Sequence, residues 1–134
     1  MGFDAAYAST DVDDDWIIDT CKSGSMTLVS RDRLLCRKVK NSFLVRTTYI
    51  GEQISEIYGK FGFQEDLFLS RCTVCNTALV NMDGKNDASP VNVPEHVLSS
   101  GSVVKLCTTC GRCYWKGTHY EGMRTFLRNI GVMG

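Results

Sequence analysis

Two cysteine pairs constrain this chain more than any other feature: Cys72-Thr-Val-Cys75 and Cys107-Thr-Thr-Cys110, with 31 residues between Cys75 and Cys107. Two Cys-x-x-Cys pairs at such a separation supply four soft thiolates, enough to enclose one tetrahedral ion, and Zn²⁺ is the ion such a set selects. A single pair would equally mark a redox site placed between a strand and a helix. Here both pairs run into turn-forming residues, Asn76-Thr77 and Gly111-Arg112, which suits the knuckles of a zinc ribbon. Four protein ligands close the coordination sphere, so the expected ion is structural and has no open position for a catalytic water. Cys113 follows Cys110 at the same spacing and offers a second register. Cys107 and Cys110 are preferred because they match the first pair and because Gly111 fits the turn.

The remaining sequence narrows the setting. A chain of 134 residues with 43 % hydrophobic content can build one ordinary domain or two small ones. Lys plus Arg and Asp plus Glu are equal at 15 each, so no overall field announces a nucleic-acid or membrane partner. The asymmetry is local. Residues 11–19 hold five aspartates and no base, whereas Arg112, Lys116, Arg124 and Arg128 concentrate near the end. No apolar stretch approaches the roughly 20 residues that span a bilayer, and the N-terminal residues lack a basic leader followed by an apolar run. With seven cysteines, an odd number, and four of them assigned to metal, a reducing cytoplasmic setting is expected.

Texture changes near Ser70. Before it, short apolar runs alternate with helical patterns: a strand over residues 5–8, a helix over 13–22, strands over 26–29 and 43–45, and a helix over 52–61. Trp16, Ile17 and Cys21 share one face of the first helix, and Ile54, Ile57, Tyr58 and Phe61 one face of the second. Gly24 ends the first helix. Strands alternating with helices imply a parallel α/β sheet. After Ser70, residues 77–80 and 103–106 read as ribbon strands flanking a polar loop over 83–94 that holds both prolines. A closing helix over 121–130 carries Met123, Phe126, Leu127 and Ile130 on one face. Cys21 and Cys36 read as small core residues. The expected domains are therefore 1–69 and 70–134.

Several motifs together resemble the Mut7-C ribonuclease family. The tail Ser-Arg-Cys72-Thr-Val-Cys75-Asn and Cys107-Thr-Thr-Cys110-Gly-Arg-Cys-Tyr-Trp115-Lys-Gly117-Thr-His119 is the most specific part. Gly2-Phe3-Asp4 is similar to the family's Gly-Tyr-Asp, Asp13-Asp14-Asp15 to its acidic helix start, Ser30-Arg31-Asp32-Arg33 to its Thr-Arg-Asp turn, and Glu52-Gln53-Ile54 to its Glu-Gln-Leu. The resemblance implies a PIN-like α/β domain followed by a zinc ribbon, with metal-dependent RNase activity. Family members open with a strand ending in aspartate and an Arg- and Leu-rich helix ahead of Gly-Tyr-Asp. This sequence opens at Met1-Gly2-Phe3-Asp4, so a truncated PIN-like parallel sheet is expected, without that strand or its aspartate. Leu34 also stands where the family often has an acid. An uncovered sheet edge would take a strand from a partner or a second copy.

Phosphodiester hydrolysis with hard cations needs carboxylates converging on Mg²⁺ or Mn²⁺. In a parallel sheet these belong at the C-terminal ends of strands. Asp32 occupies such a place if residues 26–29 form a strand, and it equally suits a helix N-cap. Asp14 is the second candidate ligand, against the alternative that Asp13, Asp14 and Asp15 simply satisfy a helix dipole. Arg31, Arg112 and Lys116 are the candidate RNA contacts, because cations beside aromatic residues suit single-stranded RNA. Trp115 is expected to pack the ribbon against the α/β domain, and His119 to be a hydrogen-bonded structural residue. Two alternatives stand beside the ribonuclease reading: a non-catalytic zinc-ribbon RNA-binding module, and a protein-interaction module that accepts a strand.

Overall fold

The computed structural model describes residues 2–62, 64–82 and 93–134. Most of the polar loop expected over 83–94 lies outside the described residues. The chain divides into two compact units, one formed by Ala6–Gly62 and the other by Met1–Ala5 together with Phe63–Gly134.

In the first unit, helix α1 (Asp14–Ser23) begins where Asp13 Oδ1 accepts the Trp16 N–H at 2.8 Å, and it ends where the Gly24 N–H returns to Thr20 O at 3.0 Å. Its inward face differs from expectation. Ile18 is buried, with Ile17 and Cys21 beside it, while Trp16 is 52 % exposed. Residues two positions apart on a helix point about 200° apart, so burying Ile18 turns Trp16 outward. Strand β1 (Leu28–Ser30) starts two residues later than expected, because the Met26 N–H closes the helix end on Cys21 O at 3.1 Å. Helix α2 (Arg33–Lys38) then carries the chain to strand β2 (Ser42–Leu44), which pairs with β1 in parallel, Val29 opposite Phe43. Leu35 and Val39 from the crossover pack with Ile18 as the core of this unit.

Helix α3 (Ile50–Phe61) buries Tyr58, and burial pushes the phenol up to about 12. Phe61 is half-exposed but sets its edge against Phe43, with ring centroids 5.6 Å apart. The helix start is fixed by Gln53 Nε2, which donates to Thr47 O and Thr48 O at 3.2 Å each, and by a hydrogen bond from the Thr47 hydroxyl to Glu52. Residues 5–8, expected as a strand, form none. Tyr7 is 88 % exposed, and the Ala5 N–H donates to a side chain rather than to a neighbouring strand.

The second unit is a three-stranded antiparallel sheet of β3 (Val80–Asn81), β4 (Lys105–Leu106) and β5 (Cys113–Tyr114), in that order. A short helix α4 (Glu95–Ser99) supplies Val97 to a cluster with Val93 and Val104, against which Met82, Cys113 and Trp115 pack. Trp115, expected to pack the ribbon against the α/β domain, packs on this cluster within its own unit. Gly117 makes room for it, since a Cβ there would lie 2.7 Å from Trp115 Nε1. Helix α5 (Thr118–Asn129) starts three residues earlier than expected. Its buried residues are Tyr120 and Leu127, one seven-residue spacing apart, and Tyr120 tilts against Phe68 at 5.3 Å. Met123 and Phe126, expected inward, flank that stripe and are about two-fifths exposed.

The architecture is therefore mixed α/β, with a two-stranded parallel sheet in one unit and a cysteine-bearing ribbon in the other. Leu35 is 5 % exposed at the centre of a small cluster. Leu35→Ala is expected to destabilise the α/β unit by about 3 kcal/mol, read as a lowered chemical-denaturation midpoint of the full chain by circular dichroism.

Candidate metal centre

Each cysteine pair sits on the same backbone device. In the first knuckle the Asn76 N–H donates to Cys72 O at 3.0 Å and the Cys72 N–H to Thr77 O at 2.9 Å. In the second, the Gly111 N–H donates to Cys107 O and the Cys107 N–H to Arg112 O, both at 2.9 Å. Reversing the chain this tightly needs a left-handed residue directly after the second cysteine. Asn76 has φ 59° and Gly111 φ 72°, and these are the two residue types that adopt such angles most readily.

The two knuckles bring all four Sγ atoms within 4.8 Å of one another. Cys75 and Cys107 are 3.3 Å apart, and Cys72 and Cys110 are 3.6 Å apart. Zn–S bonds of about 2.3 Å at tetrahedral angles separate sulfurs by about 3.8 Å, so the tetrad fits a zinc ion without rearrangement of the fold. Cys72 and Cys107 are buried, while Cys75 and Cys110 face solvent. Among the described residues no other set of three or more Cys, His, Asp or Glu side chains draws together in this way. Cys113 is not a fifth member. Its sulfur turns to Met82 Sδ at 3.9 Å, on the apolar side of β5.

Protonation within the tetrad is uneven. Burial acts to raise the Cys72 thiol, but the Tyr114 hydroxyl and the Cys75 and Val74 N–H groups outweigh it and bring the thiol down to about 6. The Cys110 N–H lowers Cys107 likewise. Cys110 is pushed up to about 11: the Arg112 N–H pulls it down, but desolvation and the neighbouring thiols prevail. Hydrogen bonding thus favours the ionised form of the two buried members while crowding opposes it at Cys110, and a bound dication would displace the protons of such a set.

The first knuckle also holds the N-terminal residues. Asn76 Nδ2 donates to Phe3 O at 3.0 Å, and Asn76 Oδ1 accepts the Ala5 N–H at 3.1 Å. Arg71 donates to Asn76 O at 2.9 Å and pairs with Asp4 at 3.1 Å. Gly2, with φ 82°, lies so close to Leu67 O that any side chain there would collide. Sequence reasoning missed this clasp. Its only local sign is an Asn beside Cys75 where the second knuckle has Gly.

The candidate catalytic carboxylates belong to the α/β unit. Asp32 lies just after β1 and caps α2, its Oδ1 accepting from the Leu34 and Leu35 N–H groups at 2.8 and 2.9 Å. Asp13 caps α1, and Asp14 Oδ2 pairs with Lys38 Nζ at 3.4 Å, both side chains about half exposed. Arg31 and Arg112 are exposed; Lys116 is exposed too but lies 5.8 Å from the Tyr120 ring centroid. Arg124 is committed to structure, bonded to Glu65 at 2.6 Å and to the Tyr120 hydroxyl at 3.2 Å. His119 is exposed and outside the tetrad.

A model of the Mut7-C RNAse domain family matches residues 1–127 of the chain. No curated protein and no solved structure matches it. Among the described residues, no helix is long and apolar enough to cross a membrane.

Cys72→Ser and Cys107→Ser are each expected to abolish binding of one zinc per chain and to unfold the ribbon, because metal binding in such sites contributes on the order of 10 kcal/mol to folding. Cys113→Ser is expected to retain the metal. Elemental analysis of the purified variants, with circular dichroism, separates these outcomes.

Proposed function

Because the chain belongs to the Mut7-C RNAse domain family, we propose that it is a ribonuclease-like protein acting on RNA, with structural zinc in its ribbon. The observation that carries this reading is the family match, which runs through both units rather than the cysteine ribbon alone.

In this reading Asp32 and Asp14 hold Mg²⁺ or Mn²⁺, for which carboxylate oxygens are the fitting donors. Such a cation supplies charge stabilisation at the scissile phosphate and activates water. Asp32 is oriented for the task by its own cap. Two backbone N–H groups fix Oδ1, and Oδ2 carries no hydrogen bond among the described residues. Arg31 in the α/β unit and Arg112 and Lys116 in the ribbon contact phosphates, where Tyr120 limits the freedom of the Lys116 ammonium.

One observation favours the second reading, RNA binding without cleavage. Asp14 is already paired with Lys38, and Asp13 and Asp32 already serve as helix caps. Every carboxylate of this set therefore has a structural occupation.

The deciding assay is Mn²⁺-dependent cleavage of single-stranded RNA by the parent chain and by Asp32→Asn. Asparagine caps a helix as well as aspartate does, so this substitution removes a charge and keeps the fold. Catalysis through Asp32 predicts a loss of about 100-fold or more. No cleavage by the parent, with RNA affinity that survives Asp32→Asn, establishes the binding reading instead. In either case Arg112→Ala with Lys116→Ala is expected to weaken RNA binding and to reduce the slope of log affinity against log salt by about 2.

A further inference from the structure

We propose that Tyr114 is the outer hydrogen-bond donor of the metal centre, its hydroxyl proton directed onto the Cys72 thiolate so as to set how tightly that centre holds its metal.

The direction of the bond follows from the partners. The Tyr114 oxygen lies 3.1 Å from Cys72 Sγ, 3.2 Å from Thr73 N and 3.2 Å from Thr73 Oγ1. An N–H can only donate, so the phenol oxygen accepts from Thr73 N. As a metal ligand Cys72 is a thiolate and can only accept, so in the loaded centre the phenol proton goes to Cys72 Sγ. The Thr73 hydroxyl then donates into the remaining lone pair of the phenol. All three contacts are satisfied at once in this arrangement. They hold the hydroxyl from both the backbone and the side chain of one knuckle residue.

Strand geometry delivers the phenol there. Neighbouring residues on a strand point to opposite faces. Cys113 and Trp115 therefore pack on the Val93, Val97 and Val104 cluster, and Tyr114, between them on β5, points to the first knuckle. The second cysteine pair thus reaches back, through the hairpin that follows it, to steady a ligand of the first.

Cys72 is the sulfur for which such a donor matters. It is 3 % exposed, so water cannot offset its charge, and of its backbone donors, the Cys75 and Val74 N–H groups, the latter is long at 3.4 Å. Four thiolates around a dication carry excess negative charge, and a hydrogen bond to one of the two buried members lowers the cost of keeping it ionised.

This inference rests on reading the tetrad as a metal centre, and the experiment separates the two claims. Zinc affinity is measured by chelator competition, and the sulfur-to-metal charge-transfer bands are recorded after loading with Co²⁺. Parent, Tyr114→Phe and Tyr120→Phe are compared; the last removes a hydroxyl that serves Arg124 and touches no sulfur. Tyr114→Phe is expected to weaken zinc binding by about tenfold or more and to move the charge-transfer bands to lower energy, with Tyr120→Phe like the parent in both. A parent chain that takes up neither metal overturns the metal reading itself. A parent that binds both, with a Phe variant equal to it in affinity and spectrum, overturns the role of Tyr114 alone. If the Phe variant fails to fold, the parent loaded with ¹¹³Cd decides. A coupling between the Tyr114 hydroxyl proton and the bound ¹¹³Cd, transmitted through sulfur, supports the assignment, and its absence overturns it.

Discussion

The convergence of four thiols is the interaction on which the ribbon unit depends. Its strands are only two residues long, and the cluster beside them contains three buried valines. Such a sheet is too short to hold itself together in water. What it does is aim two turns at each other, so that sulfurs remote in sequence meet within bonding distance of a common centre. The left-handed residues Asn76 and Gly111 let the turns be tight, and β5 turns Cys113 to the valine cluster and Tyr114 to the first knuckle. In this unit packing serves the centre as much as the centre serves packing.

The α/β unit works on the opposite principle. It has no cross-link, and its coherence comes from short-range capping and a compact apolar cluster. Asp13 and Asp32 each stop a helix start from fraying, and each lies where a change of direction begins. This double use of acids explains why the functional question turns on so few side chains. A residue that caps a helix through one oxygen keeps the other for a ligand, so structural and chemical roles are compatible at Asp32 and compete only where both oxygens are engaged. Asp14, bound to Lys38 through Oδ2, shows how an ion pair can occupy a carboxylate that sequence marks as a ligand.

Much of this was legible in the sequence because the signals were local. The cysteine pairs, the turn residues after them, the acidic start of α1 and the alternation of strand and helix all depend on neighbours in the chain. The family resemblance, carried by the tail motif and by Gly2-Phe3-Asp4, agrees with the family match. The misses were of another kind. Trp16 turned outward because Ile18, two positions on, took the core, and period alone does not say which of two apolar residues wins. Residues 5–8 did not become a strand because the Ala5 N–H found a side chain more than seventy positions away. Met123 and Phe126 lost the inward face of α5 once that helix began at Thr118 and presented Tyr120. Each miss traces to a long-range contact that no window of sequence contains.

The clasp of Asn76 and Arg71 on Phe3, Asp4 and Ala5 has a consequence for how the molecule is made. Its hydrogen bonds join residues 71 and 73 positions apart, so the early segment has nothing to bind until the first knuckle has been synthesised. The intervening α/β unit, whose pairings are local, can assemble meanwhile as a closed excursion of the chain. Fastening residues 3–5 to the knuckle closes a loop of about seventy residues, and loop closure of this length makes it a late step in folding.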